Sequence, residues 1–68
     1  MSELTNTLRA RRTDMGYTQA GLAEKIGVSR KTINTIENNV FTPSTTLALK
    51  LADALETTVE DLFQLKAP

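Results

Sequence analysis

The chain has 68 residues, with eight Lys and Arg balanced by eight Asp and Glu, and it contains neither Cys nor His. This length predicts one domain over residues 1–68, whose core supplies only about 3–5 kcal/mol, so a partner subunit is the expected supplement. The missing Cys and His exclude disulfides and thiolate metal sites and remove the commonest general base, so we expect no enzymatic activity, metal or cofactor.

The zero net charge hides an uneven distribution along the chain. Residues 1–34 carry a net charge of +3 and residues 35–68 a net charge of −3. A basic half suits a polyanionic partner, although chance clustering of solvated charges is the alternative. No segment approaches the roughly 20 apolar residues of a membrane span, and residues 1–15 lack a hydrophobic stretch of the signal-peptide type, so a cytoplasmic protein is expected.

Helical spacing of apolar residues predicts five short helices, and no alternating run of β-branched residues is long enough to predict a strand. Ser2 is available to cap the first helix, and Gly16 ends it because glycine adopts the left-handed conformation without a Cβ penalty. One face of this helix comprises Leu4, Leu8, Arg12 and Met15.

The next two helices have clear start and stop signals. Thr18 is the predicted N-cap of the second helix, and Gly27 ends it. Ser29 caps the third helix, which stops at Asn38-Asn39. The apolar residues expected to face the core are Leu22, Ala23, Ile26, Ile33 and Ile36.

The last two helices follow a loop at residues 42–44. Thr58 is the predicted N-cap of a short fifth helix, with acidic Glu60 and Asp61 in its first turn. Residues 64–68 form a tail that is either extended or helical. The apolar stripes of these two helices comprise Leu47, Ala48, Leu51 and Leu55, and then Val59, Leu62 and Phe63.

Residues 18–38, which read TQAGLAEKIGVSRKTINTIEN, resemble the helix-turn-helix of the Cro/C1-type repressor family. The resemblance implies an all-α, five-helix, lambda-repressor-like DNA-binding domain, with the helix-turn-helix at about residues 18–37. It covers Leu4 to Phe63 and continues through Pro43-Ser44, Leu47-Ala48, Leu51-Ala52 and Val59–Phe63.

Physical requirements of two crossing helices account for this pattern. Helices that cross at about 90–120° need a small residue at the crossing, which Ala23 provides. The tight turn needs a residue with positive φ, which Gly27 provides. The polar side of the third helix is then left outward, and it comprises Arg30, Lys31, Asn34 and Thr35.

The resemblance also implies particular DNA contacts. Residues that open the recognition helix of the family touch base edges, and the matching positions are Arg30, Lys31, Thr32 and Asn34. Phosphate contacts, which fix register without reading sequence, are implied for Gln19, Ser29, Asn38 and Asn39. A solvated side chain is the alternative at each position.

Arg12 and Glu37 match a structural ion pair of the family, and we expect them to meet, partly buried. Arg12 is therefore not expected to contact DNA. Arg9 and Arg11 are expected to face solvent or to pair with acids, with phosphate contact as the alternative.

The apolar end of helix five predicts a dimer in which Leu62, Phe63 and Leu65 meet their symmetry mates, with a monomer and a frayed tail as the alternative. Relatives in the family dimerise through this end, which implies a double-stranded operator with two half-sites about 34 Å apart. The predicted function is a dimeric transcriptional regulator, a repressor by resemblance, with no membrane partner and no small-molecule ligand.

A protein-interaction module is the alternative function, for example the antitoxin of a toxin–antitoxin pair or an anti-regulator that has lost operator binding. An antitoxin can also bind DNA, so the two functions are not exclusive. The resemblance covers about nine-tenths of the chain and leaves no substantial segment for a toxin, which weighs against a dedicated toxin-binding role.

Overall fold

The computed structural model describes residues 3–67, over which it contains five helices and two short strands. The predicted helices are therefore confirmed. None of the helices in this part of the chain is long and apolar enough to cross a membrane. In chain order the elements are β1 (Leu4–Asn6), α1 (Leu8–Asp14), α2 (Gln19–Ile26), α3 (Arg30–Glu37), α4 (Thr45–Ala54), α5 (Val59–Leu62) and β2 (Phe63–Leu65).

Side-chain hydroxyls start four of the helices. The Oγ atoms of Thr18, Ser29, Ser44 and Thr58 each accept a hydrogen bond from the backbone N–H three residues on, at 2.9 to 3.2 Å. Each bond satisfies an N–H that has no carbonyl partner inside the helix. Three of the four predicted N-caps, Thr18, Ser29 and Thr58, are confirmed, and Ser44, the last residue of the predicted loop, caps α4.

The ends of α1 to α4 share one hydrogen-bonding motif. A residue with positive φ follows the helix, and the N–H of the next residue donates to a carbonyl five positions earlier, at 2.9 to 3.0 Å. The helix ends at Gly16, Gly27 and Asn38-Asn39 were predicted, whereas the end of α4 at Glu56 was not, because glutamate is not a typical residue for positive φ. The residues with positive φ are Gly16 (+81°), Gly27 (+79°), Asn39 (+59°) and Glu56 (+55°).

The two strands were not predicted. β1 and β2 pair antiparallel, with Leu4 opposite Leu65 and Asn6 opposite Phe63, so the described start of the chain lies against its end. Strands of three residues are too short to show the alternating pattern that identifies a strand, and pairing with a distant segment decides their conformation.

The first helix therefore begins later than predicted. Leu4 lies in β1, and α1 starts at Leu8, whose N–H donates to Asn6 Oδ1 at 3.1 Å. Thr7 joins the two elements and donates its N–H to Leu62 O at 2.9 Å. The predicted cap Ser2 lies outside the described residues.

The core contains the apolar faces of all five helices. Leu62 is 1% exposed and Phe63 is 8% exposed, because both face the inside of their own subunit. The prediction that these two residues form a dimer interface is therefore wrong for Leu62, which is inaccessible to a second copy, and Phe63 has only a small exposed fraction to offer. Leu65 remains 76% exposed. The largest fully buried side chains are Leu8, Leu22, Ile33, Ile36, Leu51, Leu55 and Leu62.

Candidate nucleic-acid interface

α2 and α3 form a helical hairpin with a tight connection. Ala23 is 2% exposed, and its carbonyl oxygen accepts hydrogen bonds from Gly27 N–H and Val28 N–H, both at 2.9 Å. Gly27 has a φ of +79°, which lets the chain reverse direction before Ser29 starts α3. This is the turn that the sequence predicted at these residues.

α3 has one buried and one exposed face. Ile33 and Ile36 are at most 1% exposed and anchor the helix on the core. On the opposite side Arg30, Lys31 and Asn34 are exposed and line one shallow cleft. The only acidic residue of α3, Glu37, is buried, so the exposed face of this helix is purely basic and polar.

The start of α3 is fixed by hydroxyl groups. Ser29 Oγ accepts a hydrogen bond from Thr32 N–H at 3.2 Å and lies 3.0 Å from Thr32 Oγ1. Thr32 is half-buried, in contrast to its exposed neighbour Lys31. Of the four predicted base-contacting residues, Thr32 is thus the one whose side chain is already engaged within the protein.

Glu37, at the end of α3, is the centre of a polar cluster. Its side chain is fully buried, and Arg12 Nε lies 2.6 Å from Glu37 Oε2 in the pair that the sequence predicted. Glu37 Oε1 accepts further hydrogen bonds from Gln19 Nε2 at 3.1 Å and Arg9 Nε at 3.2 Å. Arg12 also donates to Tyr17 O at 2.8 Å. The cluster ties α1, the start of α2 and the end of α3 together.

The environment of Glu37 sets its protonation. Burial alone raises the pKa of this carboxyl, but the hydrogen bonds from Arg12, Gln19 and Arg9 and the positive charge of Arg12 outweigh burial. The net result is a pKa below the ordinary value of 4.5. Glu37 is therefore a carboxylate at neutral pH and holds its three donors as an anion.

This lowered pKa makes part of the stability depend on pH. A carboxyl whose pKa is lower in the folded than in the unfolded state stabilises the fold above the unfolded pKa and loses that contribution as pH falls through the folded pKa. Glu37 then contributes less to the free energy of unfolding below pH 4.5 than at pH 6. Urea unfolding below pH 4.5 and at pH 6 measures this decrease in the free energy of unfolding. The decrease should be smaller in a Glu37→Gln variant, which has no carboxyl to protonate at this position. Equal losses in both proteins would contradict this role.

The loop after α3 contains two predicted phosphate contacts. Asn38 and Asn39 are exposed, and Asn38 Nδ2 donates to Asn34 O at 2.9 Å. Asn39 Oδ1 accepts a hydrogen bond from Asn6 Nδ2 at 2.9 Å, and the same Asn6 nitrogen donates to Ile36 O at 3.0 Å. β1 thereby fixes the loop, a role for Asn6 that no signal in the sequence announces.

The other arginines of α1 have partners inside the subunit. Arg9 pairs with Glu37, in agreement with the predicted pairing with an acid, and the Arg9 side chain is 60% exposed. Arg11 donates to Leu55 O at 2.9 Å and to Glu56 O at 3.1 Å, where it satisfies carbonyls at the end of α4. Arg11 thus supports the fold on a side of α1 away from the Glu37 cluster.

Comparisons with known proteins agree with this geometry. The family described as helix-turn-helix matches residues 8–62. The uncharacterised HTH-type transcriptional regulator YgzD of Bacillus subtilis is 38% identical over 63 residues, which are 93% of this chain and 96% of YgzD. The antitoxin HipB of Escherichia coli O6:H1 is 38% identical over 81% of this chain and 58% of HipB.

A solved structure shows the same fold bound to its ligand. The biofilm master regulator SinR in complex with DNA superposes with a TM-score of 0.72 at 31% identity, over 78% of this chain and 86% of the SinR chain. The predicted five-helix DNA-binding fold is confirmed by this similarity and by the family match. The two short strands are the addition that the sequence did not predict.

Proposed function

This chain belongs to the Cro/C1-type helix-turn-helix family of DNA-binding transcriptional regulators, and from that premise we propose that it acts as a homodimeric repressor that reads two operator half-sites with α3. The observation that carries the proposal is the exposed cleft of Arg30, Lys31 and Asn34 on the face of α3 opposite its buried isoleucines. A regulator of this family is not an enzyme.

The exposed side chains of α3 suit the major groove. Arg30 has the planar donor pair that matches guanine O6 and N7, and Lys31 reaches the same acceptors as a point charge. Asn34, one turn further on, has the donor and acceptor that match adenine. Thr32 contributes at the edge of this set, since Ser29 already holds its hydroxyl.

Phosphate contacts surround this base-reading face in the proposal. Gln19 is the first residue of α2 and uses one amide N–H on Glu37, which aims the side chain and leaves a second N–H for a phosphate oxygen. Ser29 lies at the start of α3, where backbone N–H groups favour an anion. Asn38 and Asn39 lie in the exposed loop that β1 fixes through Asn6. These contacts orient α3 without reading sequence.

The proposed dimer surface is an apolar groove next to the paired strands β1 and β2. Leu49 is 58% exposed at this groove, and Leu65 is 76% exposed beside it. Directly opposed residues of an antiparallel pair share a face, so Leu65 extends the surface from its strand partner Leu4. The remaining groove residues are Pro43, Thr45, Ala48, Val59 and Phe63. A second copy placed here buries leucines that the monomer leaves in water.

Replacement of Leu65 by Asp is expected to convert the dimer to a folded monomer. The side chain is exposed, so the charge costs the subunit little, but a charge facing its symmetry mate opposes association. Analytical ultracentrifugation measures the change, with circular dichroism as the check on folding. Ala10→Asp, an exposed change on α1, is the matched control and should remain dimeric. A Leu65→Asp protein that still sediments as a dimer would exclude this surface.

DNA binding itself is tested by enrichment of random duplexes at one fixed salt concentration. The proposal predicts a sequence with two related half-sites, about 10 base pairs between centres, and an affinity that falls steeply as salt rises. Failure to enrich any duplex, or enrichment without salt dependence, would contradict it.

The similarity to HipB favours one second candidate, an antitoxin that also binds a partner protein. The antitoxin candidate differs from the operator-binding regulator in the complex that it is expected to form. A stable one-to-one assembly with another protein, together with no salt-sensitive DNA binding, would support a protein-binding role in place of the operator-binding one.

A further inference from the structure

The side chain of Asn6 makes three hydrogen bonds that connect β1 to the loop after α3. Asn6 Oδ1 accepts from Leu8 N–H at 3.1 Å, and Asn6 Nδ2 donates to Ile36 O at 3.0 Å and to Asn39 Oδ1 at 2.9 Å. Asn6 is half-buried, whereas Asn39 is exposed. These contacts therefore begin at a backbone amide of α1 and end at a side chain that is proposed to bind a DNA phosphate.

Two backbone groups fix the orientation of the Asn6 amide. Leu8 N–H can only donate, so it requires the amide oxygen, and Ile36 O can only accept, so it requires the amide nitrogen. A reversed amide would place an oxygen against Ile36 O and an N–H group against Leu8 N–H. The orientation of Asn6 thus follows from the backbone, and its second N–H is left for Asn39.

This fixed donor in turn orients Asn39. Because Asn6 Nδ2 donates, it selects the oxygen of the Asn39 amide, and the planar geometry of the amide turns Asn39 Nδ2 in another direction. Among residues 3–67, Asn39 Nδ2 has no hydrogen-bond partner. The Asn39 backbone is also held, with a φ of +59° and its N–H donating to Ile36 O at 3.0 Å. Asn39 therefore presents the N–H groups of its amide from a fixed position.

The neighbouring Asn38 has the same polarity. Asn38 Oδ1 lies 3.4 Å from Arg9 Nη2, which donates to it, and Asn38 Nδ2 uses one N–H on Asn34 O at 2.9 Å. The amide oxygens of both loop asparagines are thus taken up by donors of β1 and α1. What the two amides leave for an external ligand is N–H groups, which suits an anion.

We propose that Asn6 is a positioning residue for DNA binding, which orients the Asn39 amide so that its N–H groups face a backbone phosphate. This inference rests on the proposed operator binding. Backbone phosphate oxygens accept hydrogen bonds and do not donate them, so an amide that presented its oxygen would repel the phosphate. An orientation that is fixed before binding also lowers the entropy cost of ordering the side chain at the interface. Asn6 acts through Asn39 and does not itself touch DNA.

Two substitutions of Asn6 test this role, because one releases the Asn39 amide and the other reverses it. Asn6→Ser keeps an oxygen for Leu8 N–H but is too short to reach Asn39, so affinity for the enriched operator should fall about threefold per half-site. Asn6→Asp keeps the shape but can only accept, so Asn39 Nδ2 turns towards it. Affinity should then fall about tenfold per half-site, the factor for a lost hydrogen bond to a charged group.

Asn39→Gly provides the background that separates positioning from folding. Glycine adopts the φ of +59° without strain, so the loop keeps its path while the amide is removed. In this background each Asn6 substitution should change affinity by less than about twofold, because the side chain through which Asn6 acts is absent. Thr5→Ala, which removes a hydrogen bond to Gln64 O from the same strand, is the matched control and should keep the wild-type affinity.

Folding and sequence preference are measured alongside affinity. Both Asn6 variants lose the bond to Ile36 O and should be less stable, so binding is measured at a temperature where circular dichroism shows every variant folded. Each Asn6 variant should enrich the same half-site as the wild-type protein, since a phosphate contact reads no bases. A changed base preference would contradict the positioning role.

The remaining outcomes separate this inference from the proposed function. Equal losses with and without the Asn39 amide would overturn it, because Asn6 would then act through the fold or through the added charge. Equal losses in Asn6→Ser and Asn6→Asp would overturn it as well, since the direction of the amide would not matter. Full affinity of both variants for an operator whose selection depends on Arg30 would overturn the role of Asn6 alone. Failure to enrich any duplex would overturn both proposals.

Discussion

Replacement of Arg12 by Met is expected to lower the free energy of unfolding by about 3–5 kcal/mol, most of what a domain of this size has. The Glu37 side chain is fully buried, and its shortest hydrogen bond comes from Arg12, whose Nε lies 2.6 Å from Glu37 Oε2. Without Arg12 the carboxylate keeps only Gln19 and the half-exposed Arg9, and Tyr17 O loses its donor. The penalty comes from a buried charge left without its main partner. Urea unfolding at pH 7 measures it.

Two matched variants isolate this cause. Arg9→Met removes a guanidinium from the same carboxylate, but the Arg9 side chain is 60% exposed, so the cost should stay below about 1 kcal/mol. The double variant Arg12→Met with Glu37→Gln removes the buried charge as well and should be more stable than Arg12→Met alone. Equal costs for the two arginines, or a double variant less stable than the single one, would show that Glu37 does not organise the hairpin.

The local signals of the sequence predicted most of the helical framework. N-cap hydroxyls, a glycine or asparagine after a helix, and apolar spacing depend on neighbours a few residues apart, and the structure follows them at Thr18, Ser29 and Gly27. The turn at Ala23 and Gly27 and the exposed face of α3 follow from the same short-range pattern. These are the features that place the candidate interface.

Features that depend on distant residues were not predictable in the same way. β1 and β2 join residues about 60 positions apart, and three-residue strands carry no periodic signal. The choice of Glu37 as the partner of Arg9 depends on how α1 docks on α3, which no spacing encodes. The contact of Gln19 with the recognition helix was expected only from the family resemblance. The Asn6 contact to the loop after α3 has the same origin.

The apolar end of the chain shows a further limit of sequence patterns. Leu62, Phe63 and Leu65 look alike as a hydrophobic run, but only the turn from α5 into β2 decides which of them faces the core. Phe63 and Leu65 lie two positions apart and share a face of β2, but Phe63 packs against the core beside α5, whereas Leu65, at the far end of the strand, remains exposed. The proposed dimer surface therefore moves from the end of α5 to Leu65 and the groove at Leu49.

Arg30→Ala is expected to abolish discrimination at one base pair of each half-site while leaving the fold intact. A bidentate contact to guanine distinguishes bases by about 1–3 kcal/mol, or about 5- to 150-fold per half-site. Arg30 is exposed and makes no contact that the core needs, so the urea midpoint should not change. Lys50→Ala, an exposed change on α4, removes an equal charge elsewhere and serves as the control.

Parallel enrichment of random duplexes by the wild-type and Arg30→Ala proteins, at the same salt concentration, tests most directly whether α3 reads DNA. The wild-type and Lys50→Ala proteins should select one common half-site, and Arg30→Ala should select the same half-site with a single position randomised. An identical half-site from all three proteins would contradict this expectation, because the exposed face of α3 would then not be the surface that reads the bases.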